Sequence, residues 1–155
     1  MMLAHSPRMD AQKFYKIAPD VTAALLALGS AVEASGFDPG MLELMKLRAS
    51  QQNGCGYCVQ YHLNAARKVG VSQRKLDLVC VWREAGMFNP QERAALAWTE
   101  ALTAHLPDGV PDGLWAEVRA VFSEAEAAFL TAAVANINAW NRIAASLRFS
   151  PPHGA

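Results

Sequence analysis

Two cysteines and a histidine are spaced so that one helix would bring them to the same side. Cys55 and Cys58 form a C-x-x-C pair, and His62 follows seven residues after Cys55. At 100° per residue, the three positions lie within about 60° of one another on a helix. The pair follows the turn signal of Asn53 and Gly54, so it would occupy the first turn of that helix. Unpaired N–H groups in a first turn favour a thiolate, so the pattern predicts a redox-active pair.

A carboxylate would join these side chains if two helices fold back on each other. Glu43 lies ten residues before Asn53, about 15 Å along a helix, and His62 lies nine residues after it. A helical hairpin that turns at Asn53 would therefore bring Glu43 beside His62. A histidine next to a carboxylate can relay protons near neutral pH. Peroxide reduction needs such a relay, because a thiolate must form and the leaving oxygen must be protonated.

The elements that position these residues are predicted to be helices throughout, so the expected fold class is all-α. Alternating β-branched runs are absent, and alanine and leucine dominate. We expect about six or seven helices in one domain over residues 1–155, with residues 1–10 and 150–155 flexible and 105–113 as the longest loop. The start signals are Asp20, Asp38 with Pro39, Cys55, Ser72, Asn89 with Pro90, the stretch before Trp115, and Ser123 with Glu126.

Composition restricts the class of protein. A chain of 155 residues fits one domain, and 52% apolar residues are enough for a sizeable core, which excludes global disorder. Charged residues make up only 18%, against roughly 25% in a typical soluble domain. This low value predicts that part of the surface is hidden between subunits. The 14 basic and 14 acidic residues cancel, which argues against a nucleic-acid partner.

Cysteine usage and hydropathy predict a cytoplasmic protein without a membrane partner. Three cysteines are too few for a disulfide scaffold, and residues 1–10 carry no secretory signal. No stretch approaches the roughly 20 apolar residues that a membrane span needs. The third cysteine, Cys80, lies in an apolar run with Val79 and Trp82, and we expect it to belong to the core.

Further polar residues surround the cysteine pair at definite spacings. They are Glu43, Arg48, Ser50, Gln51, residues 53–58 (NGCGYC) and His62. Together with residues 82–84, 92–103 and 138–142, they resemble the AhpD-like alkylhydroperoxidase branch of the carboxymuconolactone decarboxylase family. The resemblance covers most of residues 14–149. One position departs from it: the best-characterised branch has a second histidine between the cysteines, where this chain has Tyr57.

The resemblance implies an all-α, AhpD-like fold that assembles as homotrimers or homohexamers. It implies thiol-dependent hydroperoxide reduction with no cofactor and no metal, and an external dithiol as reductant. Cys58 would be the thiol that attacks the hydroperoxide, Cys55 the resolving thiol, and Glu43 with His62 the proton relay. The decarboxylase branch lacks the cysteine pair, so its reaction is not expected. The supporting positions would be Arg48, Gln51 and Tyr57.

Three other functions stay open at this point. The dithiol could pass electrons to another disulfide without reducing peroxide, because both functions use the same dithiol/disulfide cycle. Two cysteines, His62 and Glu43 could form a tetrahedral zinc site, although no second ligand pair with similar spacing is present. Residues 65–75 have a loose helix-turn-helix pattern, but zero net charge argues against DNA binding.

Overall fold

The computed structural model describes residues 6–104 and 106–155, which form eight α-helices and one short 3₁₀ turn. The helices are α1 (Ala11–Ile17), α2 (Pro19–Glu33), α3 (Pro39–Gln52), α4 (Gly56–Lys68), α5 (Gln73–Leu78), α6 (Pro90–Thr103), α7 (Asp112–Val121) and α8 (Glu124–Leu147). The 3₁₀ turn, Val79–Val81, directly follows α5. No strand occurs within these two described ranges. The predicted all-α fold class is therefore confirmed.

The described chain has eight α-helices where six or seven were expected, and its N-terminal region divides into α1 and α2 at a proline. Ala18 has φ −127° and ψ 57°, which lies outside the helical region, as is common for a residue that precedes proline. Pro19 then begins α2. The predicted cap at Asp20 is therefore wrong. Asp20 lies within the first turn of α2, where its charge still favours the helix.

Four other helix starts are capped by the residues that the sequence indicated. The side chains of Asp38, Ser72, Asn89 and Ser123 each accept a hydrogen bond from the backbone N–H of the third helical residue. At Asn89 and Ser123 a glutamate side chain also accepts a bond from the backbone N–H of the cap residue, which completes a capping box. Each such cap is worth about 1 kcal/mol, so sequence-local contacts fix most of the helix boundaries.

Helix α3 lies at the centre of the fold and packs against α4, α6 and α8. Leu42 and Met45 join a core cluster with residues of α2, α6, α7 and α8. Leu44 and Leu47 join a second cluster with residues of α4, α5 and α6. Burying each of these side chains contributes about 1.5–3 kcal/mol. Helix α3 is therefore held from both sides, and it provides a rigid base for the residues that it carries.

A tight turn folds α4 back along α3. Gly54 has φ +65°, a left-handed conformation that favours glycine. Asn53 Nδ2 donates to Asn138 Oδ1 at 3.0 Å and to Asn141 Oδ1 at 2.9 Å. Asn141 Nδ2 donates in turn to Ser50 Oγ at 3.0 Å. This amide network ties the turn to α8 and fixes where α4 begins.

Cys80 is exposed, so its expected place in the core is wrong. The neighbouring Val79 is fully buried, and the chain tightens into the 3₁₀ turn at this point. With 3.0 residues per turn, consecutive side chains diverge by about 120°, and Cys80 points away from the core. Its Sγ donates a hydrogen bond to the carbonyl oxygen of Asp77, at 3.8 Å.

Both ends of the described chain contact the helices. Residues 1–5 of the expected flexible lead-in lie outside the described residues, but the N–H groups of Arg8 and Met9 donate to the carbonyl oxygen of Leu147. In the tail, the carbonyl oxygen of His153 accepts a bond from Asn64 Nδ2 of α4 at 2.8 Å. His105, part of the predicted loop 105–113, also lies outside the described residues.

Large apolar side chains are exposed on the first two helices. They are Ile17, Val21, Leu26 and Leu28. The low charge content predicts that part of the surface is covered by another subunit, and these exposed apolar side chains agree with that prediction. The oligomer itself stays a prediction. Within the described chain no single helix is long and apolar enough to cross a membrane, and α7 with α8 meets that criterion only as a pair bent by 117°.

Replacing Asn141 by alanine should lower the free energy of unfolding by about 2 kcal/mol, because Asn53 and Ser50 lose a partner at a buried turn. Denaturant unfolding measures this change. The control is Glu117→Ala on α7, where the side chain is exposed and a change within about 0.5 kcal/mol is expected. Equal losses in the two variants would contradict the role of Asn141 in holding the turn.

Candidate functional site

Glu43 and His62 meet across the α3–α4 hairpin, as their equal distances from the turn predict. His62 Nδ1 and Glu43 Oε2 are 2.7 Å apart, and both side chains are buried. An ionised carboxylate only accepts hydrogen bonds, so Nδ1 carries the shared proton. His62 Nε2 is then the atom that can take up or release a proton. The pair has the geometry of a carboxylate-oriented general acid–base.

Lys46 is a third member of this cluster, and it was not among the residues predicted from the sequence. Lys46 Nζ donates to Glu43 Oε1 at 2.8 Å and to Glu33 Oε1 at 3.3 Å. Lys46 follows Glu43 by three residues on α3, and this i,i+3 spacing was the signal that could have identified it. Since Glu33 is the last residue of α2, the same ammonium group links α2 to the site.

The partners of Glu43 hold its pKa below the ordinary value of 4.5. Burial acts to raise this pKa, but the hydrogen bond and charge of His62, together with Lys46, lower it further than burial raises it. For Lys46, burial acts to lower the pKa, and the charges of Glu43 and Glu33 outweigh that effect and raise it. The Glu43 carboxylate and the Lys46 ammonium group are therefore both ionised at neutral pH.

Cys55 and Cys58 lie at the start of α4 and are joined as a disulfide. Cys55 is the N-cap residue, and its Sγ accepts a hydrogen bond from the backbone N–H of Cys58 at 3.2 Å. Ala144 of α8 and Phe149 pack against the pair. Both cysteines are almost fully buried in the molecule. The structure therefore holds the pair in its oxidised form at the N-terminus of α4, where the helix dipole is positive.

A cavity of about 730 Å³ brings the chemical groups together. Cys58, His62 and Glu43 line it, whereas Cys55 does not. The cavity has apolar walls from α2 and α8, which include Leu25, Leu26, Val32, Ile137 and Trp140. Cavities of roughly 300–1,000 Å³ accommodate small organic ligands. Of the two paired cysteines, Cys58 is therefore the one that borders this cavity.

Tyr57 lines the same cavity and links α4 to α1. Its hydroxyl group lies 3.1 Å from the hydroxyl group of Tyr15, and its ring packs edge-on against Phe149, with centroids 5.3 Å apart. Burial and the bond with Tyr15 raise the pKa of Tyr57. The phenol therefore stays protonated at neutral pH. It does not supply the base that a histidine at this position would supply.

Arg48 and Gln51 lie away from the cavity. Arg48 Nε donates to Glu100 Oε1 at 2.7 Å, and its Nη1 lies 3.4 Å from Gln51 Oε1. Glu100 also accepts bonds from Trp82 and Arg83. Neither Arg48 nor Gln51 lines the cavity. Any support that they give to the site would therefore act through the packing of α3 on α6.

Among the described residues, the cysteine pair in its oxidised form does not offer the donor atoms that a zinc site would need. The two sulfurs are bonded to each other, and a disulfide sulfur is not the thiolate that zinc binds. Apart from residues 1–5 and 105, which are not described, no three His, Cys, Asp or Glu side chains lie together as possible metal ligands.

Known proteins share the sequence pattern and the fold. Residues 19–101 match the Carboxymuconolactone decarboxylase family. The uncharacterized protein YdfG of Bacillus subtilis (strain 168) is 32% identical over 134 residues, which are 86% of this chain and 91% of YdfG. These matches include α3 and α4, which carry the site.

Solved structures extend the similarity to the whole fold. ATU0492 from Agrobacterium tumefaciens, a protein of unknown function with a suggested role as the antioxidant defence protein AhpD, has a TM-score of 0.88 and 38% identity, covering 96% of this chain and 99% of that one. The debrominase Bmp8 has a TM-score of 0.77 and 23% identity, covering 86% of this chain and 72% of that one. At that identity, Bmp8 shares the fold alone.

Acid should weaken the folded state through Glu43. Because its pKa is lowered by folding, its contribution to stability is complete above the ordinary value of 4.5 and is lost as the pH falls below 4.5 through the lowered pKa. Glu43→Gln should lower the free energy of unfolding at neutral pH by about 1–3 kcal/mol and should remove this part of the acid dependence.

Urea unfolding of the oxidised protein and of Glu43→Gln, from neutral pH to about pH 3, measures the difference. Glu100, whose pKa is also lowered, is present in both proteins, so its contribution cancels. Parallel curves of stability against pH would show that Glu43 is not held as a charged partner of His62 and Lys46.

Proposed function

Since this chain belongs to the carboxymuconolactone decarboxylase family, we propose that it reduces hydroperoxides with its cysteine pair, as an AhpD-type peroxidase. One observation carries the proposal. Cys58 lines the same cavity as the Glu43–His62 pair, while Cys55 lies outside that cavity lining. A hydroperoxide in the cavity would therefore meet one sulfur and one proton donor together. The second sulfur is adjacent, where it can complete the disulfide.

The first step joins Cys58 to the terminal oxygen of the hydroperoxide. In the reduced protein, His62 Nε2 accepts the proton of the Cys58 thiol, and the thiolate attacks that oxygen. The S–O bond forms, the O–O bond breaks, and the alkoxide takes the proton back from His62. The products are an alcohol and a Cys58 sulfenic acid. Glu43 holds the imidazole through Nδ1 and stabilises its protonated form.

The second step closes the disulfide. The Cys55 thiol attacks Sγ of the Cys58 sulfenic acid, the S–S bond forms, the S–O bond breaks, and hydroxide leaves with the Cys55 proton as water. An external dithiol then reduces the Cys55–Cys58 disulfide by two exchange reactions and becomes a disulfide itself. In sum, one hydroperoxide and one dithiol give one alcohol, one water and one disulfide.

Serine variants of the cysteines should separate the two steps. With cumene hydroperoxide and dithiothreitol, Cys58→Ser should lose turnover. Cys55→Ser should accumulate a sulfenic acid at Cys58, which excess hydroperoxide then oxidises to a sulfinic acid. The control is Cys80→Ser, which should keep the rate of the unmodified protein because Cys80 is exposed outside the site. Intact-mass and peptide measurements identify each species.

Full turnover in Cys58→Ser would refute this mechanism. If hydroperoxide leaves both thiols reduced while a protein disulfide oxidises them, the electron-transfer function replaces the peroxidase function. The same mass measurements distinguish these outcomes, because they report the state of each cysteine separately.

Loss of the proton relay should slow the oxidation of Cys58. His62→Gln and Glu43→Gln are each expected to reduce the rate of disulfide formation at neutral pH by about 100-fold. The difference in rate between these variants and the unmodified protein should shrink as the pH rises, because the thiol then ionises without a base. Stopped-flow oxidation of the reduced protein measures this dependence, with Asn64→Ala on the outer side of α4 as control. Unchanged rates in His62→Gln at neutral pH would remove His62 from the mechanism.

A further inference from the structure

Asn136 brings to the cavity an amide group that has no assigned role. The side chain lies on α8, lines the cavity and is only 9% exposed. Its Oδ1 is buried and has no hydrogen-bond partner among the described residues. Buried polar atoms are nearly always partnered, because leaving one unpaired costs its full desolvation free energy. An amide that lines a cavity and carries an unpartnered oxygen is therefore a candidate contact for a ligand.

Two neighbouring asparagines show that this state is not a general property of α8. Asn138 Nδ2 donates to Thr103 Oγ1, and its Oδ1 accepts from Asn53. Asn141 Nδ2 donates to Ser50 Oγ, and its Oδ1 also accepts from Asn53. Both therefore have internal partners at each end of the amide, whereas Asn136 faces the cavity. The other cavity-lining residues on this face of the helix are apolar or aromatic: Ala133, Ile137, Trp140 and Ala144.

A glycine on the facing helix leaves room for the amide. A Cβ atom on Gly29 of α2 would lie 3.2 Å from Asn136 Nδ2, which is tighter than an ordinary contact. Glycine inside a helix is less favourable than alanine. Gly29 therefore lowers the stability of α2 but leaves space for the amide of Asn136. The χ2 torsion of asparagine has a broad energy profile, and a rotation of about 180° around it exchanges the positions of Oδ1 and Nδ2. The amide can therefore offer either its N–H or its carbonyl group to a ligand.

The charges around the cavity favour an uncharged ligand. Lys46 is already bonded to both Glu43 and Glu33, so it has two carboxylates for one ammonium group. Apart from His62, no other cationic side chain of the described residues lines the cavity. A carboxylate on the ligand would therefore meet excess negative charge and no free cation. A hydroxyl, carbonyl or amide group has no such penalty.

We propose that Asn136 is a specificity-determining residue that hydrogen-bonds an uncharged polar group on the body of an organic hydroperoxide. This proposal rests on the proposed function and specifies its substrate class. Asn136 precedes Ala144 by about 12 Å along α8, and Ala144 packs against the cysteine pair. The substrate would place its peroxide group at Cys58, its apolar chain along Ile137 and Trp140, and its polar group at Asn136.

A pair of hydroperoxides that differ by one hydroxyl group tests the proposal. Reduced protein is mixed with octyl hydroperoxide or with 8-hydroxyoctyl hydroperoxide, and quenched mass spectrometry follows formation of the Cys55–Cys58 disulfide. We expect the hydroxylated substrate to react about tenfold faster, because its hydroxyl group makes one additional hydrogen bond, which stabilises the reacting complex by an amount equivalent to that rate change. The anionic 8-hydroperoxyoctanoate should react more slowly than 8-hydroxyoctyl hydroperoxide.

Asn136→Leu should reduce the rate ratio of the two octyl substrates to about one by slowing only the hydroxylated one. The matched control is Thr22→Val. Thr22 also lines the cavity, but its hydroxyl group already donates to the carbonyl oxygen of Ala18 at 2.9 Å, so the ratio should persist. A ratio near one in the unmodified protein, or an unchanged ratio in Asn136→Leu, would overturn the proposal.

Two further measurements keep the test independent of activity and of folding. The urea midpoint of Asn136→Leu, or of the smaller Asn136→Ala if leucine does not fit, should not fall, because no internal bond is lost. A marked fall would assign Asn136 a structural role instead. Calorimetry should show that 1,8-octanediol binds the oxidised protein more tightly than octanol does, and that Asn136→Leu loses this preference. If no hydroperoxide oxidises the thiols, the proposed function fails, and the diol measurement still decides the role of Asn136.

Discussion

The register between α3 and α4 is the constraint on which the site depends. Glu43 and His62 are 19 residues apart in the chain, yet their side chains form a hydrogen bond of 2.7 Å. A slip of one residue would rotate His62 by about 100° around α4 and separate the pair. The turn prevents such a slip, because Gly54 allows the reversal and the amide network holds Asn53 against α8. The same turn places Cys55 at the start of α4.

Charged groups are tolerated in this interior because each of them is partnered. Glu43 bonds His62 with one oxygen and Lys46 with the other, so its burial leaves no unpaired charge. Small residues on α8, such as Ala133 and Ala144, leave space beside these groups rather than filling it. The result is a rigid hairpin on one side of a cavity, and apolar side chains of α2 and α8 form much of the opposite side. Asn136 of α8 also lines this cavity, and its oxygen has no partner among the described residues, which is the observation behind the proposed ligand contact.

Features set by neighbouring residues could be predicted from the sequence. Caps such as Asn89 and Ser123 act within one helical turn, and the hairpin that joins Glu43 to His62 follows from equal distances to one turn. Features that depend on tertiary packing could not be predicted. The expected core position of Cys80 was wrong because a 3₁₀ turn replaces the last turn of its helix. Asn136 carries no sequence signal, because only the fold shows that its two neighbouring asparagines have partners and that its own oxygen has none among the described residues.

The state of the three cysteines after one equivalent of hydroperoxide shows whether the cysteine pair acts as a peroxidase. Reduced protein would be mixed with cumene hydroperoxide, quenched at short times, and analysed by peptide mass together with the amount of alcohol released. We expect a Cys55–Cys58 disulfide, a free Cys80 and one equivalent of alcohol for each disulfide formed. Intact hydroperoxide together with three unmodified thiols would contradict this expectation.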